Sequence, residues 1–336
     1  MSGSEQMGAT ELVAFRDEMD KACVAPLWER LATQTKRTEQ PRVWRWSDLE
    51  PLATKAVRAT GLDSAERRVL TLADPVLSRN APLRVTSDLN AGIQILLPGE
   101  SARPHRHTAN ALRFVIEGTG ARTVVDGKTC PMEPGDLILT PSMTWHEHMN
   151  EGSSRMIWLD VLDVPLMEFL QVNMFEPGPP RNLPQSIEDA AFAVPGLMPQ
   201  DISVPRHHSP MFRYPWSKSS PALDALPPAD DGSRILRYVN PLTGGPVMSL
   251  LDCYLLRFGM TPTQPRRVSG SAICFAAAGS GCSTIGDTEI EWHKNDIFSI
   301  PHWVRASHRA TRGDATLFIV TDDEVMRRLE LWREES

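Results

Sequence analysis

Two stretches of this chain, 160 residues apart, carry the same punctuation, and that repeat constrains the fold more than any other feature. Gly99-x5-His105-Arg106-His107 is matched by Gly259-x5-Pro265-Arg266-Arg267. Gly135-Asp136-x4-Pro141 is matched by Asn295-Asp296-x4-Pro301, and Gly279-Ser280-Gly281 echoes Gly118-Thr119-Gly120 with one residue inserted. An internal duplication of this size predicts two like domains. Pro98-Gly99, Asp126-Gly127 and Pro134-Gly135 read as turns. Between and around them, strands are expected at 66–72, 91–97, 112–117, 121–125, 136–140 and 155–162. Short strands at such regular intervals predict a sandwich or barrel. The 28 prolines and 21 glycines argue against an all-helical chain.

The expected organisation follows. Residues 1–62 form an N-terminal helical arm, because Leu12, Phe15, Met19, Leu27 and Leu31 recur at helical spacing, with a break at Pro26. Residues 41–46 read as an extended aromatic segment, and Ser47-Asp48 offers an N-cap for a helix starting near Leu49. The arm is either a packing collar or a cap over a partner subunit. Residues 63–176 form a first barrel and 231–336 a second. The proline-rich stretch 177–230 is an irregular linker.

In an extended segment, residues two apart share a face, so His105 and His107 point one way and Arg106 the other. His146 and His148 repeat that geometry. Three or four imidazoles converging from neighbouring strands make a first-row metal site, open to Fe, Mn, Ni, Cu or Zn. A lone His-x-His is ordinary surface chemistry; the Gly/Pro frame and the third histidine at matched spacing argue for ligation. In the second half Pro265, Arg267 and Ala306 stand where His105, His107 and His146 stand, and only His308 matches His148. Arginine does not ligate a cation, so one metal per chain is expected, in the first barrel. His207, His208, His293 and His302 have no comparable frame and read as surface or loop residues.

A formal net charge of -7 opposes a nucleic-acid surface. The five cysteines are scattered without a Cys-x-x-Cys, as expected of reduced thiols in the cytoplasm. No secretory pattern opens the sequence, and no run of about 18 apolar residues suggests a membrane span.

The His, Gly, Pro and Asn150 frame resembles the two signature motifs of cupins, small β-barrels that bind metals inside the barrel. Cupins commonly carry a glutamate ligand four or five residues after the second histidine. Here those positions are Ala111 and Leu112, while Glu117 falls at a loop or barrel rim, which leaves three neutral imidazoles. The resemblance narrows on Ala65-Glu66-Arg67-Arg68-Val69-Leu70, on His105 through Phe114, on Gly135 through Pro141, and on Trp145-His146-Glu147-His148. Ile157-Trp158-Leu159-Asp160 and Asn240 through Met248 extend it. These segments are similar to gentisate 1,2-dioxygenase and its salicylate and 1-hydroxy-2-naphthoate relatives, over roughly residues 40–330. The resemblance implies an all-β dominated bicupin with N-terminal helices, its second cupin ligand-free. It implies one Fe(II) per chain on His105, His107 and His146, a small aromatic hydroxy acid and O2 as partners, and a cytosolic homotetramer. It further implies ring cleavage between the carboxylated carbon and its hydroxylated neighbour, with both oxygen atoms inserted.

Within that frame Arg113 is expected to hold the substrate carboxylate, against the alternative of an ion pair with Glu117 or Asp136. His148 is expected behind the metal, as a proton donor or acceptor or as a hydrogen-bond donor to substrate. Asp160 is expected to orient His148 or a ligating imidazole. Gln94 and Gly92 are expected to face the pocket, with Asn90 on the same face. One of Arg67 and Arg68 supplies a second cation, since adjacent strand residues face opposite ways. Asn90 stands where family members often carry a bulkier aromatic, which points to a ring-substituted salicylate, with gentisate the default. Two other classes stay open: a different metal cupin, such as an isomerase or decarboxylase, although those usually keep the glutamate, and a non-catalytic bicupin binding protein.

Overall fold

The computed structural model describes residues 7–29, 39–61, 67–79, 82–178, 183, 187–200 and 207–336. The chain divides into two compact units, residues 1–38 and 39–336. The first contains α1 (Ala9–Lys21) and a 3-10 turn at Leu27–Glu29, with Pro26 between them. Leu31, expected on the helical face, lies outside the described residues.

The second unit opens with β1 (Val43–Trp44) and α2 (Trp46–Ala59). The first repeat supplies β2 (Val69–Thr71), β3 (Asn90–Leu96), β4 (Ser101–His107), β5 (Ala111–Glu117), β6 (Ala121–Val125), β7 (Lys128–Met132), β8 (Leu137–Thr140), β9 (His146–Asn150), β10 (Met156–Leu162), α3 (Val164–Phe169) and β11 (Phe175–Pro177). Between the repeats lie β12 (Arg213–Tyr214) and α4 (Trp216–Asp224). The second repeat supplies β13 (Arg234–Arg237), β14 (Asp252–Phe258), β15 (Arg267–Val268), β16 (Ala272–Ala278), β17 (Ser280–Ile285), β18 (Thr288–His293), β19 (Ile297–Ile300), β20 (Ala306–Ala310), β21 (Ala315–Thr321), α5 (Asp323–Arg328) and β22 (Glu334–Glu335).

Each repeat is a barrel-like pair of sheets. The first joins the sheet β12-β8-β5-β10-β3-β2 to the sheet β11-β4-β9-β6-β7. The second joins β1-β19-β16-β21-β14-β13 to β18-β17-β20, with β15 and β22 paired separately. The six-stranded sheets of the two repeats meet in one hydrophobic core. Phe114 of β5 stacks on Phe318 of β21 with ring centroids 4.2 Å apart, and Phe275 of β16 lies 5.4 Å away. Residues on β3, β5 and β10 are therefore buried on both faces, which explains their continuous apolar runs.

The sheets exchange edges. β1 pairs with β19 of the second barrel (Val43↔Phe298), and β12 pairs with β8 of the first (Arg213↔Ile138). A helix follows each exchanged strand, and its N-terminus is closed by an aspartate from the barrel it joins. Asp296 Oδ1 accepts from Trp46 N at 2.7 Å and Asp136 Oδ1 accepts from Trp216 N at 2.8 Å. The same carboxylates pair with Arg45 at 3.2 Å and Arg213 at 2.7 Å. A remote carboxylate thus supplies the cap and favours the positive end of the helix dipole. This overturns the cap expected at Ser47-Asp48: α2 begins three residues earlier, at Trp46. It also explains the repeated Gly-Asp and Asn-Asp pairs. Gly135 and Asn295 both have left-handed backbone (φ 87 and 72), and a Cβ at Gly135 would lie 2.6 Å from the Trp216 ring. Residues 39–61 of the expected arm are thereby part of the barrel unit, with Leu49 and Ala53 of α2 in its core.

Register also refines the alignment of the repeats. His105 sits opposite His146, whereas Arg266, not Pro265, sits opposite Ala306. The counterparts of His105 and His107 are therefore Arg266 and Val268.

His302 is not the surface residue expected. It sits where the two repeats meet, with Nδ1 on Glu39 Oε2 and Nε2 on Asp322 Oδ2, both at 2.8 Å, and Asp88 at 3.6 Å. Ser271 Oγ ties Asp322 to Thr86 across the same seam. His208 is buried too, donating from Nδ1 to Ser209 O, whereas His207 and His293 are exposed. Burial pushes the Glu39 carboxyl up, but hydrogen bonds from His302 and Ser87 and the imidazolium charge outweigh it and hold it at about 2. The same carboxylates raise His302 against its own burial. A depressed carboxylate stabilises the fold above its unfolded value of 4.5 and loses that contribution as pH falls toward 2. The raised His302 keeps its contribution throughout that acid window. Glu39→Gln is expected to lower unfolding free energy at pH 7 by about 1.5–3 kcal/mol, the range for a charged hydrogen bond. Urea unfolding at pH 7, 4 and 2.5 checks this: the gap from wild type closes as pH falls, and an equal gap at 2.5 and 7 contradicts it.

Candidate metal centre

β4 and β9 run antiparallel with His105 directly opposite His146. His107 follows two residues on, so three imidazoles enter the barrel together. Their ring centroids lie 4.2 Å (His105–His146), 4.9 Å (His107–His146) and 5.8 Å (His105–His107) apart. Each Nδ1 faces a backbone carbonyl: Arg103 O at 2.8 Å, Ala109 O at 2.8 Å and Thr144 O at 3.0 Å. A carbonyl only accepts, so each Nδ1 carries the proton and each Nε2 presents a lone pair. Nε2 of His107 and of His146 is buried without a hydrogen-bond partner. Nε2 of His105 accepts from Arg67 Nη1 at 3.2 Å. The three ligand nitrogens lie within 4.8 Å of one another. Burial, reinforced by the charges of Arg67 and Arg113, lowers His105 to about 3 and His107 to about 4, and His146 falls well below its ordinary value. Neutral imidazoles with fixed tautomers and orphaned lone pairs are what a divalent cation requires, and the residues fit one.

Beside the histidines is a cavity of about 380 Å³. Its lining brings together Arg67, Asn90, Gly92, Gln94, His107, Arg113 and Asp160, with Val69, Thr71 and Leu162. Of the adjacent arginines, Arg67 faces this space, while Arg68 turns away and makes two bonds of 2.9 Å to Glu100 and one of 3.1 Å to Thr60 O. Gly92 lines the cavity because β2 crosses close by: a Cβ there would lie 2.7 Å from Val69 Cγ1. Asn90 donates its amide to Leu83 O at 2.6 Å.

Arg113 pairs with neither Glu117 nor Asp136, which are held by Arg155 and Arg213. It lies across the strands from Asp160, with Nε 3.1 Å from Oδ1, an ion pair without hydrogen-bond alignment. Arg113 Nη1 donates to Thr140 Oγ1 at 2.7 Å. Asp160 also accepts from Trp158 Nε1 at 3.1 Å. It contacts a guanidinium and an indole, not the imidazole expected, because cross-strand register puts Arg113 directly opposite it. His148 is fully buried behind the three histidines, its ring 5.9 Å from that of His146, with Nδ1 2.8 Å from Thr123 Oγ1 and Nε2 unpartnered.

Several neighbours had escaped the sequence reading. Phe175 of β11 stacks on His105 at 5.2 Å and lies under the Arg67 guanidinium at 5.2 Å. It arrives through the pairing of β11 with β4, which no local pattern announces. Thr140 and Thr123 lay within expected strands, and their inward phase was the available signal. Among the described residues, a second group spaced for a metal is Asp88, His302 and Asp322. Both nitrogens of His302 are already taken by carboxylates there, which makes it an ion-pair knot.

The cupin domain model matches residues 92–162, from β3 to β10. The 5-aminosalicylate 1,2-dioxygenase of Comamonas sp. is 34% identical over 97% of this chain and 91% of its own length. Gentisate 1,2-dioxygenase 1 of Aquipseudomonas alcaligenes is 33% identical over 99% of both chains. A salicylate 1,2-dioxygenase from Pseudoaminobacter salicylatoxidans, solved as an adduct with gentisate, is similar with a TM-score of 0.89 and 33% identity. That likeness covers 99% of this chain and 96% of the solved one, both barrels included. With relatives of this identity along its whole length and a three-histidine centre in its first barrel, the chain belongs to the gentisate and salicylate 1,2-dioxygenase family of ring-cleaving bicupin dioxygenases.

Proposed function

We propose that this chain is an Fe(II)-dependent dioxygenase of gentisate or a ring-substituted salicylate. It opens the ring between the carboxyl-bearing and hydroxyl-bearing carbons and inserts both atoms of O2. The observation that carries this reading is the placement of two guanidiniums, Arg67 and Arg113, in the cavity beside three convergent imidazole nitrogens. The charged side chains of the lining are these two cations and Asp160, a net positive balance before any metal is counted. A unit charge pair about 5 Å apart at an effective dielectric of about 20 is worth roughly 3 kcal/mol, enough to select a carboxylate over a neutral ring.

His105, His107 and His146 would hold the metal through Nε2. Fe(II), when bound, supplies a Lewis acid for the carboxylate and hydroxyl oxygens and electrons for dioxygen. The chain's own residues do the remaining work. Arg113, steadied by Asp160 and Thr140, holds the carboxylate by charge and by its planar fork. Arg67, lying over Phe175, closes the same end. Gln94 meets a ring substituent. His148 holds a proton at one ring nitrogen, selected by the hydroxyl of Thr123. Asn90 offers a short polar side chain at the mouth, which leaves room for a substituent and can bond to it.

The exposed run Phe169, Leu170, Val172, Met174 and Phe175 supports burial against further copies of the chain, in a homotetramer. Five unpaired thiols accord with the cytoplasm. No described helix is long and apolar enough to cross a membrane.

An oxygen electrode with Fe(II)-loaded protein and a panel of gentisate, substituted salicylates and hydroxynaphthoates tests the reading; no uptake with any of them would sink it. Asn90→Tyr is expected to change the ranking of those substrates, and an unchanged ratio removes Asn90 from selection. Elemental analysis is expected to give one iron per chain, lost in His146→Ala and kept in His308→Ala; two irons would mean that the second barrel also ligates. Arg67→Ala is expected to raise KM roughly tenfold or more, for a contact of about 1.5–3 kcal/mol, with iron and stability unchanged. Arg68→Ala is expected to lower the melting temperature and leave KM alone. The reverse pattern would exchange their roles.

A further inference from the structure

The second barrel keeps the catalytic cavity after losing the metal ligands. Matching the two repeats by strand register pairs Gln94 with Leu256, Asp160 with Ile319, Arg113 with Cys274 and His107 with Val268. At these four positions charge, amide or imidazole in the first barrel gives way to an apolar side chain or a neutral thiol in the second, whereas the counterparts of His105, His148 and Asn90 are the polar Arg266, His308 and Asp252. Leu256, Val268 and Ile319 all line a cavity of about 550 Å³, larger than its catalytic counterpart. Ala306, the counterpart of His146, also lines it, and its small side chain leaves open the space that an imidazole fills in the first barrel. A duplicated cavity with no work to do is expected to collapse, because close packing stabilises an interior. This one has instead exchanged polar side chains for apolar ones at Leu256, Val268, Ala306 and Ile319 around an open space.

The wall is not wholly apolar. Thr321, the counterpart of Leu162, and Asp323 both line the cavity and are buried, 6% and 2% exposed. The Thr321 hydroxyl lies beside the Asp323 carboxyl and holds its pKa down, but Thr321 Oγ1 and Asp323 Oδ1 make no well-aligned hydrogen bond. A buried carboxylate oxygen held only by a poorly aligned donor is costly, and a better-placed bound donor lowers that cost. Charge at the mouth is mixed and compensated: Arg266 lies 3.6 Å from Glu334, and Arg327 stacks on Trp332 while pairing with Glu324. Asp230 and Asp231 add negative charge to the same lining. This balance rejects the anion that the first cavity attracts.

We propose that the second barrel is a binding site for a neutral, mostly apolar ring compound bearing one hydroxyl, whose O–H donates to Asp323 and whose oxygen meets Thr321. Burial raises Asp323 to about 6, which still leaves it an acceptor at pH 7.5. The proposal is separate from the ring-cleaving site and stands or falls without it.

The test is a titration of the full-length, iron-loaded protein with 2-naphthol at pH 7.5, followed by its fluorescence. One saturable site per chain is expected, unaffected by Arg67→Ala and not displaced by excess 2-naphthoate. Ala306→Phe, which fills the cavity, is expected to weaken binding more than tenfold, and Thr321→Val and Asp323→Asn severalfold each, with ring cleavage unchanged in all three. The proposal is overturned if 2-naphthol shows no saturable binding up to its solubility. It is equally overturned if binding is lost in Arg67→Ala and kept in Ala306→Phe, or if naphthoate competes on equal terms. Should Ala306→Phe fail to fold by circular dichroism, unchanged affinity in both Thr321→Val and Asp323→Asn overturns it.

Discussion

A buried carboxylate on each barrel closes the N-terminus of a helix that the chain delivers from outside that repeat, and much of the architecture depends on this contact. Asp296 receives Trp46 N and Arg45, and Asp136 receives Trp216 N and Arg213. Each aspartate sits in a tight turn one residue before a core strand, β19 or β8, so the turn, the exchanged edge strand and the helix are fixed together. The exchanged helices then add Leu49, Ala53 and Leu223 to a core that runs without a break between the repeats. Directional capping sets the geometry, and apolar burial across the joined sheets supplies most of the stabilisation.

Much of the fold was legible from the sequence because its strands alternate in the usual way or are buried on both faces, and because glycines mark the turns. β4, β7 and β9 were less legible as strands. Ser101–His107 contains a proline and four cationic or imidazole side chains, since its inward face builds the three-histidine group and not the core. The histidine constellation itself was readable, because period two and the duplicated frame fix which residues share a face. The phase of Arg67 and Arg68 was not: alternation says that they diverge, and only the contact with Glu100 says which way. Asp160 was misread because its partner is set by cross-strand register with Arg113. His302 was misread because Glu39, which it meets, lies at the other end of the sequence.

The two repeats show how one framework carries opposite chemistry. Equivalent positions on β3, β5 and β10 hold Gln94, Arg113 and Asp160, while those on β14, β16 and β21 hold Leu256, Cys274 and Ile319. The backbone pairings are nearly superposable, so the difference rests on side chains at a few inward positions. One buried imidazole outlived the change in both copies: His148 meets Thr123, and His308 meets Ser283, each at 2.8 Å. Its presence in the barrel without the three-histidine group indicates that the bond to the neighbouring hydroxyl belongs to the framework.

The exchange of edges has a consequence for how such a chain can be divided. A cut anywhere in 177–212 would release a first half that lacks β12 and α4, leaving the outer edge of β8 bare and Asp136 with no helix to cap. The matching second half would lack β1 and α2 and expose β19 in the same way. Unpaired edges and uncapped carboxylates favour aggregation over folding, so neither half is a self-sufficient module. The barrel without the three-histidine group is thus tied to the one that carries it by shared covalent parts. The second barrel is therefore required for the first to keep its edge strand and its capped helix, whatever its inward side chains do.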